Sequence, residues 1–188
     1  MTWKWNEIKD YIECSMSKTR FSHVIGVIET AKMLAKRHDV NVDDAKLAAL
    51  VHDVAKEKSL KQTAALLRLA HEESYLEYSD KVWHAPMGAI IAEKVFAIEN
   101  KDILNAIKYH TTGRPKMSKL EKVIFVADYT EPNRTFENCI AVRAFWDDLN
   151  RAAYEILKQK LDKVSGLGLG LHPDTLAAYE YYKKVNKI

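Results

Sequence analysis

The sequence predicts an all-α fold, a helical bundle. Prolines and glycines are scarce, four and six among 188 residues, while the helix formers Ala, Leu, Lys and Glu dominate. Apolar residues return at helical spacing along most of the chain, and several of these stretches open on a capping residue: Ser17, Asn41, Ser59, Asn100 and Ser118.

The elements follow in order. Residues 3–16 form an amphipathic helix with Trp5, Ile8, Tyr11 and Ile12 inward. Ser17 caps a helix over 18–37 that buries Val24, Ile28, Ala31 and Leu34. His23 lies inside it, and Arg20, three residues earlier, projects from the same face. His38, at a helix C-terminus that suits a cation, belongs to the surface. Asn41 caps a helix over 42–56, with Asp43 and Asp44 in its first turn, where the dipole favours anions. Ser59 and Gln62 make a capping box for a helix to about residue 71, and 72–80 is an acidic, Tyr-containing connection. Pro86 fits the first turn of a helix to about residue 98, with His84 at its N-terminal mouth. Gly88, one turn on, costs that helix about 1 kcal/mol against Ala, for close approach by another group or for tight helix packing. Asn100 caps a helix ending at His110, and the polar, basic loop from Thr111 to Lys116 leaves it. Ser118 and Glu121 form a second capping box, opening a strongly apolar helix with Asp128 in its last turn. Residues 138–164 read as one long helix without a chemical signal, 166–173 as a glycine-spaced linker, and 174–187 as a final helix.

Composition narrows the function classes. The length suits one domain, with a core over about 18–134 and C-terminal helices over about 138–187 packed on it. No run of about 18 apolar residues predicts a membrane span, and the start lacks a signal-peptide core, so a cytoplasmic protein with no membrane partner is expected. Cys14 and Cys139 lie far apart and read as reduced, buried thiols rather than a zinc motif. A net charge of +3, spread along the chain, does not suit duplex nucleic acid; a smaller polyanion in a cleft does. A homodimer is allowed.

The chemistry centres on His52-Asp53. Leu47, Val51 and Val54 give their helix a buried stripe, and an imidazole and a carboxylate beside it need a reason. A hydrogen-bonded structural pair is one; a metal ion is another, because both are N/O ligands for Fe, Mn, Co or Zn. Asp128, ionised at the end of an apolar helix, likewise needs a cation. Six groups therefore stand out, each at or in a separate predicted helix except the central pair: His23, His52, Asp53, His84, His110 and Asp128. A helical bundle can gather such side chains into one pocket. Lys56, three and four residues beyond the pair, and Arg20 share faces with these candidates, and Arg134 lies just past Asp128; they are the candidate phosphate clamps, ahead of Arg114 and Lys116.

This order of residues resembles the HD-domain metal-dependent phosphohydrolases, and within them the YqeK-type branch. The resemblance rests on Arg20-x-x-His23, His52-Asp53-x-x-Lys56, Trp83-His84-x-Pro86-x-Gly88, His110-Thr111-Thr112-Gly113-Arg114-Pro115, Asp128 to Arg134, and the tail His172-Pro173-x-Thr175. It implies an HD-domain bundle and symmetrical hydrolysis of diadenosine tetraphosphate to two ADP, with a hydroxide generated at the metal as nucleophile. The tighter metal site would be His23, His52, Asp53 and Asp128; His84 and His110, with Asp53 bridging, would hold a second ion or else touch phosphate. An all-N/O ligand set suits Fe first, with Mn, Co and Zn as alternatives. Asp53 and Lys56 are the expected catalytic residues. Arg20, Lys56, His84, His110, Thr111, Arg134, Gly168 and His172 are expected to bind substrate, with ADP or GDP as product. Another nucleotide phosphohydrolase, an HD di-iron oxygenase and a non-catalytic nucleotide sensor are the competing readings.

Overall fold

The computed structural model describes residues 3–165 and 170–188. Among these it has ten α-helices and no strand: α1 (Trp5–Cys14), α2 (Lys18–Arg37), α3 (Val42–Val51), α4 (Leu60–Leu69), α5 (His84–Lys94), α6 (Lys101–Lys108), α7 (Lys119–Thr130), α8 (Glu137–Arg143), α9 (Leu149–Ser165) and α10 (Pro173–Val185). Two 3₁₀ turns, Glu73–Glu77 and Asp80–Val82, join α4 to α5. No described helix is long and apolar enough to cross a membrane.

Helix α7 is the hub. It packs on α2, α3, α6, α8 and α9, and Val123 to Ala127 are buried without a break. A helix apolar on all sides belongs inside a bundle. Its start is set by the reciprocal bonds of Ser118 and Glu121. Glu121 is itself buried and is neutralised by a bidentate pair from Arg114, at 2.7 and 2.6 Å. That pair occupies Arg114, the weaker clamp candidate, in holding α7. Helix α3 lies against α2, α6 and α7, capped by Asn41 as its sequence implies. Helices α9 and α10 pack together, and α9 covers α7.

Five expectations change. The helix expected over 42–56 ends at Val51. There the His52 ring faces the Ala49 carbonyl at 2.6 Å, and Val54 and Lys56 bond three residues back. These tighter turns set His52, Asp53 and Lys56 just beyond the helix end. The long helix expected over 138–164 is two helices. Asp148 caps the second, accepting from the amides of Asn150 and Arg151 at 3.0 Å, and Trp146 turns inward to donate to Thr130. Cys14 is exposed; only Cys139 is buried. His38 is not a free surface group, because its Nε2 lies 2.7 Å from the Trp146 carbonyl and ties α2 to that turn. At Ser59 the cap is one-sided: its hydroxyl accepts from Gln62 N and donates to the Gln62 side chain.

Gly88 is explained by packing. A Cβ there would stand 3.3 Å from the His52 carbonyl and 3.3 Å from Ile107. Helix α5 therefore lies close against both the His52 turn and α6, which brings His84 and His110 toward His52.

Candidate metal and phosphate site

The structure brings His23, His52, Asp53, His84, His110 and Asp128 together. Helix α2 supplies His23, the turn after α3 supplies His52 and Asp53, the first residue of α5 is His84, His110 follows α6, and Asp128 lies in the last turn of α7. Asp53 is the centre. Its Oδ2 lies 3.5 Å from His52 Nε2 and 3.8 Å from His23 Nε2; its Oδ1 lies 3.2 Å from His84 Nε2 and 3.7 Å from His110 Nε2. The two oxygens thus serve two different histidine pairs, and two three-ligand groups share this one carboxylate. Asp128 Oδ1 approaches from the other side, 3.1 Å from His23 Nε2 and 3.9 Å from His52 Nε2.

The chemistry of these atoms fits a cation. His52 Nδ1 lies 2.6 Å from the Ala49 carbonyl, and His110 Nδ1 lies 2.7 Å from the Ile107 carbonyl. A carbonyl only accepts, so both Nδ1 atoms carry the proton and both Nε2 atoms turn bare lone pairs inward. The buried Nε2 atoms of His23 and His52 have no hydrogen-bond partner. Lone pairs and two carboxylates converging in a buried space repel one another unless positive charge joins them. His84 differs: Lys56 Nζ, a pure donor, is 3.2 Å from its Nδ1, which places the His84 proton on Nε2, facing Asp53 and His110.

Burial and charge set the protonation. Burial pushes His52 and His84 down to about 4 despite the pull of Asp53. Burial also opposes ionisation of Asp53 and Asp128, but the surrounding imidazoles, and Arg134 at Asp128, hold both carboxyls well below the usual range. Burial lowers His23, yet Asp128 and Glu131 on its two nitrogens outweigh that and raise it. At neutral pH His52 and His84 are therefore neutral while Asp53 and Asp128 are ionised. The stability consequence has a definite sign. His52 and His84 titrate near 6.5 unfolded and about 4 folded, so the unfolded chain binds more protons across that window. Metal-free protein should lose stability as pH falls from 6.5 to 4, by up to about 3 kcal/mol for each histidine. Urea midpoints measured across that range test this, and His52→Gln should flatten the slope. A flat wild-type profile would mean that these rings are charged in the folded state.

The basic candidates surround the cluster. Arg20 Nη1 bonds Asp53 at 3.0 Å while its Nε is buried without a partner, and Arg134 Nη2 bonds Asp128 at 2.9 Å. Both side chains keep about a third of their surface, 28% and 31%. They face a broad recess that also contains Ser17, Lys18, His23 and Asn133. Lys56 lies on another side, with His84. Thr111 and His172 stand outside the cluster and line a neighbouring cavity; Gly168 lies outside the described residues.

Three residues were not singled out from sequence. Glu131, read there as loop, is buried and its Oε1 lies 3.1 Å from His23 Nδ1, which orients that ring. Arg143 holds the loop that carries it, donating to the carbonyls of Thr130, Glu131 and Arg134 at 3.0, 2.9 and 2.7 Å. Lys160 reaches from α9 to the Thr111 carbonyl. A carboxylate three residues past Asp128 was the one available signal for Glu131; the other two depend on tertiary packing.

An all-α bundle whose helix ends converge on histidines and aspartates is the framework of a metal-dependent hydrolase. The HD domain family profile matches residues 20–133, and the chain belongs to that family. It is 42% identical to the symmetrical bis(5'-nucleosyl)-tetraphosphatase of Halalkalibacterium halodurans over 87% of this chain and 89% of that one. The protein of the same name from Bacillus subtilis is 37% identical, over 90% and 92%. A crystal structure of a predicted HD superfamily hydrolase involved in NAD metabolism, from Clostridium acetobutylicum, superposes with a TM-score of 0.90 at 34% identity, covering 98% of this chain and all of that one.

Proposed function

We propose that this protein is a divalent-metal-dependent hydrolase that cuts dinucleoside polyphosphates symmetrically, diadenosine tetraphosphate to two ADP. The observation that carries the chemistry is Asp53, whose two oxygens face two separate histidine pairs with bare Nε2 atoms among them. The relatives named for this reaction, similar over nearly their whole length, support the substrate. His23, His52, Asp53 and Asp128 would hold the principal ion, with iron first among the candidates for an N/O set. His84 and His110 would hold a second ion or meet phosphate, and the Lys56 contact on His84 Nδ1 favours donation by His84 to an oxygen. When bound, the cation supplies Lewis acidity and lowers the pKa of water.

The chain's own residues do the rest. Arg20 and Arg134 each spend one N–H on a cluster carboxylate and retain donors for non-bridging phosphate oxygens. Lys56 adds an ammonium beside His84, to offset the charge that grows as the phosphoanhydride bond breaks. Water adds at one inner phosphorus, the bond to the bridging oxygen breaks, and each half leaves as a nucleoside diphosphate. We read the whole chain as one domain, acting in the cytoplasm.

Product analysis tests the reading. Metal-loaded protein given diadenosine tetraphosphate should yield two ADP; ATP plus AMP would contradict it, and oxygen consumption would indicate oxidative chemistry instead. Lys56→Ala should keep the metal and raise KM for the polyphosphate by about 10-fold or more, the worth of one hydrogen bond to a charged group. Unchanged kinetics in that variant would remove Lys56 from the site.

A further inference from the structure

On the His23 side of the metal cluster lies a recess of about 840 Å³. Its walls include Lys18, Arg20, His23, Arg134 and Phe136. The chemistry above uses only the part where Arg20 and Arg134 bond the cluster carboxylates. Three observations indicate what the rest takes.

The first is position. Two ligand groups share Asp53: one contains His23 and His52, the other His84 and His110. The recess contains His23, whereas the cavity of Thr111 and His172, where substrate contact is expected, begins one residue past His110. No residue lines both. A tetraphosphate lying across Asp53 and cut in its middle carries one nucleoside toward each side. The half expected at Thr111 and His172 leaves the other half to be placed.

The second is size and charge. The recess lies within the roughly 300–1,000 Å³ of small-molecule sites, and the other cavity, at about 190 Å³, is too small for both halves. The two carboxylates along the recess are engaged. Glu57 accepts from Ser17 N and Oγ at 2.6 and 2.7 Å, and Glu131 meets His23 and the Asn133 amide. The donors left over are cationic: Lys18 and the outer N–H groups of Arg20 and Arg134. The third is Phe136. Its ring is 73% exposed, and Ile140, one turn along α8, is exposed on the same face. An aromatic face left to water beside cationic groups suits a nucleotide base, which stacks on it whatever its identity.

We propose that this recess seats the second nucleoside of the substrate, its base stacked on Phe136 and its α-phosphate near Lys18. This rests on the hydrolase reading for the identity of the substrate. Phe136 thereby becomes a specificity-determining residue, distinguishing a polyphosphate with a nucleoside at both ends from one with a nucleoside at one end.

The experiment compares diadenosine tetraphosphate with adenosine 5'-tetraphosphate, which lacks the second nucleoside, on full-length, metal-loaded protein. Phe136 makes no side-chain cap bond to α8, so Phe136→Ala should keep the fold. That variant should lower kcat/KM for diadenosine tetraphosphate by about 10-fold or more, the scale of one base–aromatic stack. Adenosine tetraphosphate, with no second base to lose, should keep its wild-type value, and Phe136→Trp, which retains a flat ring, should restore the dinucleotide. Wild-type kcat/KM for diadenosine tetraphosphate in Phe136→Ala overturns the proposal and leaves the hydrolase reading intact. An equal loss on both substrates also overturns it, and would place Phe136 in the fold or in an interface between copies of the chain. If wild-type protein cleaves neither compound, the hydrolase reading fails and Kd values for the two decide: a loss in Phe136→Ala confined to diadenosine tetraphosphate upholds the nucleoside seat, and any other pattern removes it.

Discussion

Asp53→Ala should abolish metal binding and lower hydrolysis by about 10³-fold or more, the scale for losing a dominant electrostatic element of an active site. The carboxylate lies within 3.8 Å of four imidazoles and is 3.0 Å from Arg20. Among the described residues no other carboxylate lies within ion-pair distance of both histidine pairs, so its loss disconnects them. It also leaves the Arg20 guanidinium without its anion. For a buried pair that costs about 3–5 kcal/mol, but Arg20 is 28% exposed, and water reduces the cost. The helical circular dichroism should therefore survive. Asp53→Asn separates charge from shape: the amide fills the same space but lacks the charge, so metal should be lost there too. Metal analysis of the purified variants decides. Wild-type metal content in either one would remove Asp53 from the ligand set, whatever the activity.

The convergence around Asp53 was legible because each candidate ligand sits at a recognisable place on a helix. His23 shares a face with Arg20, His84 precedes Pro86 at a helix start, and Asp128 is an acid where an apolar helix ends. Helical periodicity plus cap chemistry places such residues without knowledge of the neighbours. What escaped depends on those neighbours. Val54 and Ala55 continue the apolar register of α3, so the end of the helix at Val51 is invisible to periodicity; it is fixed by the bond from the His52 ring to Ala49. Asp148 lies among apolar residues whose spacing suits one long helix, and its capping role appears only because Trp146 is drawn in to Thr130. Lys160 looks like a solvated lysine of an amphipathic helix until the His110 loop is laid over it. That placement relies on Gly113, at φ 67, where a Cβ would be 3.4 Å from Phe125 and 3.5 Å from Leu157. A side chain would strain the left-handed backbone as well as the packing.

Gly26→Ala should weaken metal binding although Gly26 touches no candidate ligand. By helix propensity alone alanine would stabilise α2 by about 1 kcal/mol. Here the sign reverses, because the added Cβ would stand 2.3 Å from Glu131 Oε2 and 3.1 Å from its Cδ. A free glutamate would swing aside. This one is pinned: Oε1 faces His23 Nδ1 at 3.1 Å, Oε2 accepts the Asn133 amide at 2.8 Å, and Arg143 holds the Glu131 carbonyl at 2.9 Å. Moving it strands a buried carboxylate and frees the His23 ring to turn. The expected result is metal affinity lower by about 10–100-fold, as for other losses of a group that orients a ligand. Stability should fall by about 1–3 kcal/mol, the cost of overpacking. Metal titration and urea unfolding of Gly26→Ala, Glu131→Ala and the double variant form a cycle that isolates the clash. With Glu131 removed, the extra methyl meets only the end of the Asn133 side chain, 3.2 Å away, so the double variant should bind metal no worse than Glu131→Ala alone. A Gly26→Ala protein more stable than wild type, with metal affinity intact, would show that Glu131 yields freely and does not hold His23 in place.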